Sequence, residues 1–406
     1  MILVIAVLSI SVGLIGQEEY LLNAFEPEII DARAEALGRT SILSSSGANF
    51  LFNNSSLLCK LPERNIQISG RVILGETKVG QELNEDRFNY KTNYPIRTKL
   101  AGFTFGIPCI SKRNPDMLWG FGIGYRSYYD WGHREEMNIS DIDYECESIS
   151  SGGFSTMVMG GGFQYDDIYY GGISYSFPFF SNSSNEFKDN FESYKSSGTT
   201  KGSFLTFSSS YILHENIILG ARFRTGYTLH RKGEYNNGDK YYYRYLIPFE
   251  MGFAVEITPY DKLKIYTEYL TRKFGKYKYQ LPNNSAKYSY YLDSKNGFSF
   301  RTGFEIISVI TFRSGLFIQS VPIYVNQPFW SDEYDQYLSK YSKTPEVEVG
   351  YTTGLGVQIN SQLMLDIYGS FSSVKYNEEY EYYEDQVKVD YLMKRIKTGC
   401  TLGYNF

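Results

Sequence analysis

From Asn65 onward, apolar and polar side chains alternate with a period of two far more often than they repeat at helical spacing. Between Ile217 and His230, residues Ile217, Leu219, Ala221, Phe223, Tyr227 and Leu229 share one parity, against Gly220, Arg222, Arg224, Gly226 and Thr228. Phe298, Phe300, Phe304 and Ile306 likewise oppose Ser299, Arg301, Gly303 and Glu305. Val347, Val349, Tyr351, Leu355, Val357 and Ile359 oppose Glu348, Gly350, Gly354, Gly356 and Gln358. A soluble sandwich alternates too, so length decides. The segments run about ten to sixteen residues, longer than ordinary globular strands and close to what a tilted bilayer crossing needs.

Connections alternate between tight and long. Tight turns fall at Tyr165-Asp166-Asp167, His214-Glu215-Asn216, Thr258 to Lys262, Ser308 to Ile310 and Asn360-Ser361. Long polar stretches fall near Gln81 to Tyr94, Gly132 to Ser150, Ser181 to Lys201, Arg231 to Lys240, Lys276 to Asn296, Asn326 to Glu346 and Asn377 to Lys388. Short turns at one end and long loops at the other are the outer-membrane pattern. One strand per turn signal predicts an all-β fold, a transmembrane antiparallel β-barrel of about 14 strands. The strands start near Asn65, Ile96, Met117, Gly153, Ile168, Gly202, Asn216, Tyr242, Lys262, Gly297, Thr311, Glu346, Gln362 and Val389. The last one ends with Leu402, Tyr404 and the terminal Phe406 on one face, which resembles the C-terminal assembly signal of outer-membrane barrels. That signal implies the barrel-assembly machinery as a partner, and the outward face implies outer-membrane lipid.

With the apolar parity outward, the lumen collects Arg71, Arg126, Arg222, Arg224, Glu250, Glu256, Lys264, Glu268, Arg301, Glu305, Arg313, Glu348 and Asp366. A charge facing hydrocarbon would cost about 2 to 4 kcal/mol at the midplane, so their confinement to one parity supports the assignment. Both signs occur in similar numbers, which favours a cross-lumen network over an ion-selective pore.

Composition fits this picture, with 39 Tyr, 28 Phe and 37 Gly but only 42% hydrophobic residues. Aromatics such as Tyr128, Tyr129 and Trp131, then Tyr175, Phe177, Phe179 and Phe180, then Tyr241 to Tyr243, read as girdles at strand ends or as loop packing. A net charge of −5 without a basic stripe argues against nucleic-acid binding. The apolar run Ile2 to Ile15, ending near Gly16, is expected to be a signal peptide over residues 1–16. Export would place Cys59, Cys109, Cys146 and Cys400 where a disulfide can form, without metal-ligand spacing or a CxxC pair. No motif joins His133, His214 or His230 to a nucleophile, so no catalytic residue, metal or cofactor is expected. The Tyr- and acid-rich loops, as at Glu378 to Asp385, read as solvated surface first and as ligand capture second.

Residues 17–62 lack clean alternation and precede the barrel of residues 63–406, so they form a periplasmic extension or a plug. Here Ala32 to Thr40 (ARAEALGRT) leads through Ser44 to Ala48 into Asn53-Asn54-Ser55-Ser56-Leu57-Leu58. This order resembles the start of the FadL-like outer-membrane transporter superfamily, which includes long-chain fatty acid and aromatic hydrocarbon transporters and PorV-type proteins of type IX secretion. Ala34, Leu37, Gly38 and Arg39 match its first motif, and Asn53-Asn54 with Leu57-Leu58 its second, where Ser55 and Ser56 replace a Pro-Ala pair. The resemblance implies fourteen strands, an N-terminal plug motif at Gly38, Arg39, Asn53 and Asn54, and a hydrophobic ligand leaving sideways through the wall. Gly160-Gly161-Gly162 and Gly171-Gly172 then read foremost as room for the plug and secondarily as a lateral opening.

The leading expectation is passive transport of hydrophobic, fatty-acid-like molecules across the outer membrane. The alternative is a PorV-like scaffold that transports nothing. An apolar lumenal pocket favours the first, and a lumen filled by charge pairs favours the second.

Overall fold

The computed structural model describes residues 30–83, 86–110, 117–130, 133–139, 144–189, 193–236, 238, 240–272, 276–280, 287–291, 297–321, 329–331, 334–338, 340–341, 346–382 and 385–406. The expected signal peptide and residues 17–29 lie outside them, as does Trp131.

Fourteen strands close into one antiparallel barrel. They are β1 (Asn65–Leu83), β2 (Asp86–Ile110), β3 (Met117–Asp130), β4 (Tyr144–Tyr165), β5 (Tyr169–Pro178), β6 (Phe204–His214) and β7 (Ile217–Arg224). The circuit continues with β8 (Glu250–Tyr260), β9 (Leu263–Arg272), β10 (Gly297–Ile306), β11 (Ile310–Val321), β12 (Glu346–Gln358), β13 (Leu363–Tyr382) and β14 (Asp385–Asn405). Each strand pairs with its neighbour, and β1 closes on β14 in register from Asn65↔Asn405 to Leu83↔Val387. Closure leaves the barrel itself no sheet edge, which is the condition for strands to sit in hydrocarbon. The count and architecture are those that the alternation and turn signals predict.

The outward face is apolar. Phe253, Tyr269, Phe300, Leu316, Val349 and Phe371 are exposed on successive strands, a distribution that water would penalise and lipid would not. Leu402, Tyr404 and Phe406 lie on this face, with Phe406 stacked against Phe105 and Tyr404.

Three expectations are corrected. Several stretches read as long loops are strand: β1 and β2 keep pairing out to Leu83↔Asp86, and β13 and β14 to Tyr382↔Asp385. Residues 182–189, 193–201, 227–235, 240–247 and 276–280 form a second sheet that continues the wall beyond the apolar belt. Tyr242 therefore belongs to that sheet, and the barrel strand begins at Glu250. Tyr227 and Leu229 face inward, at 6% and 2% exposure, although they share parity with the outward Phe223. The ladder breaks at Thr225-Gly226, where the Thr225 N–H bonds the Leu205 carbonyl, and the extra step reverses the facing of the residues beyond it. Tyr128, expected in a girdle, is fully buried in the lumen, at a bulge where the pairing of β3 with β4 slips between Ser127 and Tyr129.

Candidate functional site

The lumen holds residues 30–62. A five-residue helix, α1 (Ala32–Ala36), is followed by short helical turns at Gly47–Asn49, Phe50–Asn53 and Ser55–Lys60, nearly all of it buried. So short a helix gains little from propensity, and the barrel wall holds it in place. Asp31 caps it by accepting the Arg33 N–H at 2.9 Å.

Inward glycines make room for this segment. A Cβ at Gly303 would lie 2.5 Å from the Leu37 carbonyl oxygen, and one at Gly315 would lie 2.1 Å from the Gly38 nitrogen. Gly162 and Gly172 give the same room to Ser55 and Ser56, where a Cβ would approach backbone to 2.2 Å. The first of the two readings of the glycine runs, room for a plug, is thus the one their contacts support, while Gly161 and Gly171 face neighbouring phenylalanines instead.

Of the sequence-predicted plug residues, Gly38 takes a left-handed backbone (φ 71°) and donates its N–H to Thr352 Oγ1 at 2.8 Å. Arg39, also left-handed (φ 65°), lies over the Phe317 ring, 4.8 Å from its centroid. Asn53 accepts from Arg222 at 3.3 Å. Asn54 donates to the Ile42 carbonyl and to Ser210, each at 2.9 Å.

The charged residues assigned to the lumen are buried or half-buried on the inward face, and five of them, Arg126, Arg222, Glu268, Arg301 and Glu305, bond the segment directly. Glu268, 1% exposed, accepts the Ser41 and Ile42 N–H groups at 2.7 Å each and the Arg301 guanidinium at 3.3 Å, while Arg301 donates to the Arg39 carbonyl at 2.8 Å. Glu305 takes Arg33 at 3.1 and 2.7 Å and Arg313 at 2.7 Å, and Arg313 reaches Asp366 at 2.6 Å. Glu250 joins Arg222 and Arg224 at 2.7 and 3.3 Å. Arg126 donates to the Phe52 carbonyl at 3.3 Å, Glu348 accepts from Gln319 at 2.6 Å, and Glu256 pairs with Lys264 at 2.8 Å. Arg71, 5% exposed, also faces the interior from β1. Buried ions are tolerated only when paired and hydrogen-bonded, and these pairings meet that condition.

Sequence reasoning did not single out Asp31, Arg33, Ser41, Ser208 or Ser210, all of which seat the segment. Alternation marks the inward serines of β6 as lumenal, but nothing in sequence marks which meet Ser55 and Ser56.

Between segment and wall lies a cavity of only about 20 Å³, lined by Phe52, Asn53, Arg126, Tyr128, Phe204, Arg222, Arg224 and Arg301 among others. That volume holds about one water. Tyr128 stands at its centre, with Arg126 4.5 Å above its ring, Phe204 5.0 Å away and Arg224 hydrogen-bonded to its hydroxyl.

Asp31 is fully buried and accepts the Ser46 N–H at 2.5 Å, and its carboxyl is pushed up to about 6, mainly by burial and next by the Asp366 carboxylate. A carboxyl raised in the seated state binds its proton there more tightly than in the released state. Its contribution is therefore greatest in acid and is lost as pH rises from about 4 through about 6, a change of at most about 3 kcal/mol. Acidification from pH 7.5 to 5 is expected to raise the unfolding temperature of the wild type more than that of Asp366→Asn, which removes the neighbouring charge. Parallel profiles in differential scanning calorimetry would refute the coupling.

Against solved structures, the chain aligns over 94% of its length with all of a Pseudomonas aeruginosa FadL homologue, at a TM-score of 0.65 and 10% identity. The barrel has a FadL-like fold. The Pseudomonas putida toluene transporter TodX (TM-score 0.59, 11% identity, 94% of this chain and 99% of that one) and the Ralstonia pickettii toluene transporter TbuX (0.55, 11%, 95% and 99%) share the FadL-like fold. No family model and no curated protein matches the sequence.

Proposed function

We propose that the chain is a passive, non-enzymatic outer-membrane transporter of hydrophobic small molecules, with residues 30–62 as the closed gate. The observation that carries this reading is the chamber where wall arginines hold the gate. Arg126 binds the Phe52 carbonyl, Arg222 the Asn53 side chain and Arg301 the Arg39 carbonyl, amid Phe52, Tyr128 and Phe204. An anionic hydrophobic ligand entering there would pair with the guanidinium groups and bury its chain against the rings. In doing so it would withdraw hydrogen bonds from the gate, each worth about 1.5 to 3 kcal/mol when a charged group is involved. Ligand affinity and gate release would thus be coupled, and no other energy source is needed. A fatty-acid-like molecule fits this chemistry. The tight turns and both chain ends would face the periplasm.

A second reading, a PorV-like scaffold, is favoured by the filling of the lumen with charge pairs and by the small free volume. Uptake of a fluorescent long-chain fatty acid into liposomes separates the two. The transporter reading expects uptake that a matched alcohol or a small ion does not show, and leak of small ions once residues 17–62 are deleted. No uptake by either form leaves the scaffold.

Assembly is expected to read the C-terminal strand. Phe406→Asp places a charge near the membrane interface, where its direct cost is at most about 1 kcal/mol. A several-fold fall in heat-modifiable barrel would therefore reflect failed assembly, and undiminished levels would remove Phe406 from the signal.

A further inference from the structure

The outward face of the second sheet carries a groove that the transport reading does not use. It has an open volume of about 740 Å³, in the range of small-molecule sites. Its floor is a rung of four strands in register, Gly152↔Ser183, Ser183↔Gly198 and Gly198↔Gly233, where short or absent side chains leave backbone uppermost. One ridge is Asn182, Thr199 and Lys232, and the other is Ser151, Ser184, Ser197 and Glu234. These side chains point away from the lumen: Asn182, Ser197, Thr199 and Lys232 are exposed, whereas Thr200 and Arg231 beside them are buried inward. Ser151 and Ser184 face each other across the strands at 2.8 Å.

Height gives the groove its meaning. Along the wall that becomes residues 182–189, the outward face reads Ile173, Tyr175, Phe177, Phe179 and Phe180, then changes abruptly to Asn182, Ser184 and Glu186. The same change occurs from Phe207 and Leu205 to Lys201, Thr199 and Ser197. Phe180, 77% exposed, marks the last apolar residue on that line. At about 3.3 Å per residue, the ridges stand roughly 7 and 13 Å further along the strand, or about 5 to 10 Å higher once strand tilt is allowed for. A headgroup layer occupies about 5 to 8 Å on each side of the hydrocarbon. The groove therefore opens into headgroups.

We infer that this groove binds the phosphorylated saccharide headgroup of an outer-leaflet glycolipid. Neighbouring hydroxyls, an amide and bare backbone supply the mixed donors and acceptors that a sugar's hydroxyls require. Lys232 and Lys240 against Glu234 leave a net positive charge for phosphate. Among the described residues the lining carries no aromatic or branched aliphatic side chain, which argues against an acyl chain in the groove itself; the apolar belt directly below accommodates one. The inference rests on the barrel lying in an outer membrane and does not depend on transport.

The test is native mass spectrometry of the full-length protein, loaded in turn with rough-type lipopolysaccharide, phosphatidylglycerol or the delipidated phosphorylated oligosaccharide. Wild type is expected to retain lipopolysaccharide at least tenfold better than either other probe. The Lys232→Gln/Lys240→Gln double variant and, independently, Thr199→Trp, which fills the groove, should each cut retention about tenfold with heat-modifiable mobility unchanged. Equal retention of phosphatidylglycerol, equal retention of the free oligosaccharide, or unaltered lipopolysaccharide binding by both variants would each overturn the assignment. Fatty-acid uptake failing while lipopolysaccharide retention persists would sink the transporter reading alone.

Discussion

Glu268→Ala is expected to open the barrel. The wild-type carboxylate accepts two backbone N–H groups of the gate and pairs with Arg301, and all of these groups are buried. Removing it leaves a guanidinium without its carboxylate and two amides without acceptors. Breaking a buried pair costs about 3 to 5 kcal/mol, and each orphaned amide adds about 1 to 3 kcal/mol where it cannot reach water. The gate can escape that penalty by leaving the wall, while the barrel ladder, which Glu268 does not complete, remains. Single-channel recordings should show sustained conductance in Glu268→Ala against brief or absent openings in wild type. Glu268→Gln, which keeps one acceptor and the shape, should fall between. Silent recordings from a properly folded Glu268→Ala would mean that the gate is held elsewhere.

Gly38→Ala is expected to unseat the first half of the gate. A left-handed backbone costs an alanine about 1 to 2 kcal/mol, and the added Cβ would stand 2.2 Å from the Thr302 carbonyl oxygen and 2.6 Å from that of Leu316. Both are ladder atoms and cannot move aside. Gly315→Ala reproduces the collision from the wall side without altering the gate sequence, since its Cβ would meet the Gly38 nitrogen at 2.1 Å. The two variants should share one phenotype, namely faster labelling of Cys59, now 3% exposed, by a thiol reagent. Because burial pushes that thiol up to about 11, wild type should label slowly at pH 7.5. A normal labelling rate in Gly38→Ala would show that the notch is not a constraint.

The strand count was legible because inside hydrocarbon each strand must show lipid an apolar face, and the period of two at Phe298 to Ile306 or Val347 to Ile359 survives any detail of pairing. Beyond the belt no face meets lipid hydrocarbon, so Ser193 to Lys201 and Arg231 to Tyr235 carry no such alternation and read as loops while forming ladder. The inward charges were legible by the same parity, and Arg301, Glu305 and Asp366 are placed by it. Their partners were not. Arg33 sits in ARAEA, which reads locally as helix, and only the closed barrel brings it 272 residues along the chain to Glu305. Tyr227 and Leu229 show the limit of parity: one break at Thr225-Gly226 inverts every assignment after it.

The cavity described beside the gate, about 20 Å³, is too small for a hydrophobic ligand, so the transport reading requires residues 30–62 to move, and immobilising them is the most direct test. Ala48 Cβ lies 3.2 Å from the position of a Cβ at Gly106, slightly under the usual disulfide spacing, and the flexible end of Leu61, 2.6 Å from the same position, has to swing aside to admit it. Ala48→Cys/Gly106→Cys, with the four native cysteines replaced by serine, should lose fatty-acid uptake when oxidised and regain it on reduction. Uptake that persists through the closed cross-link would contradict a moving gate.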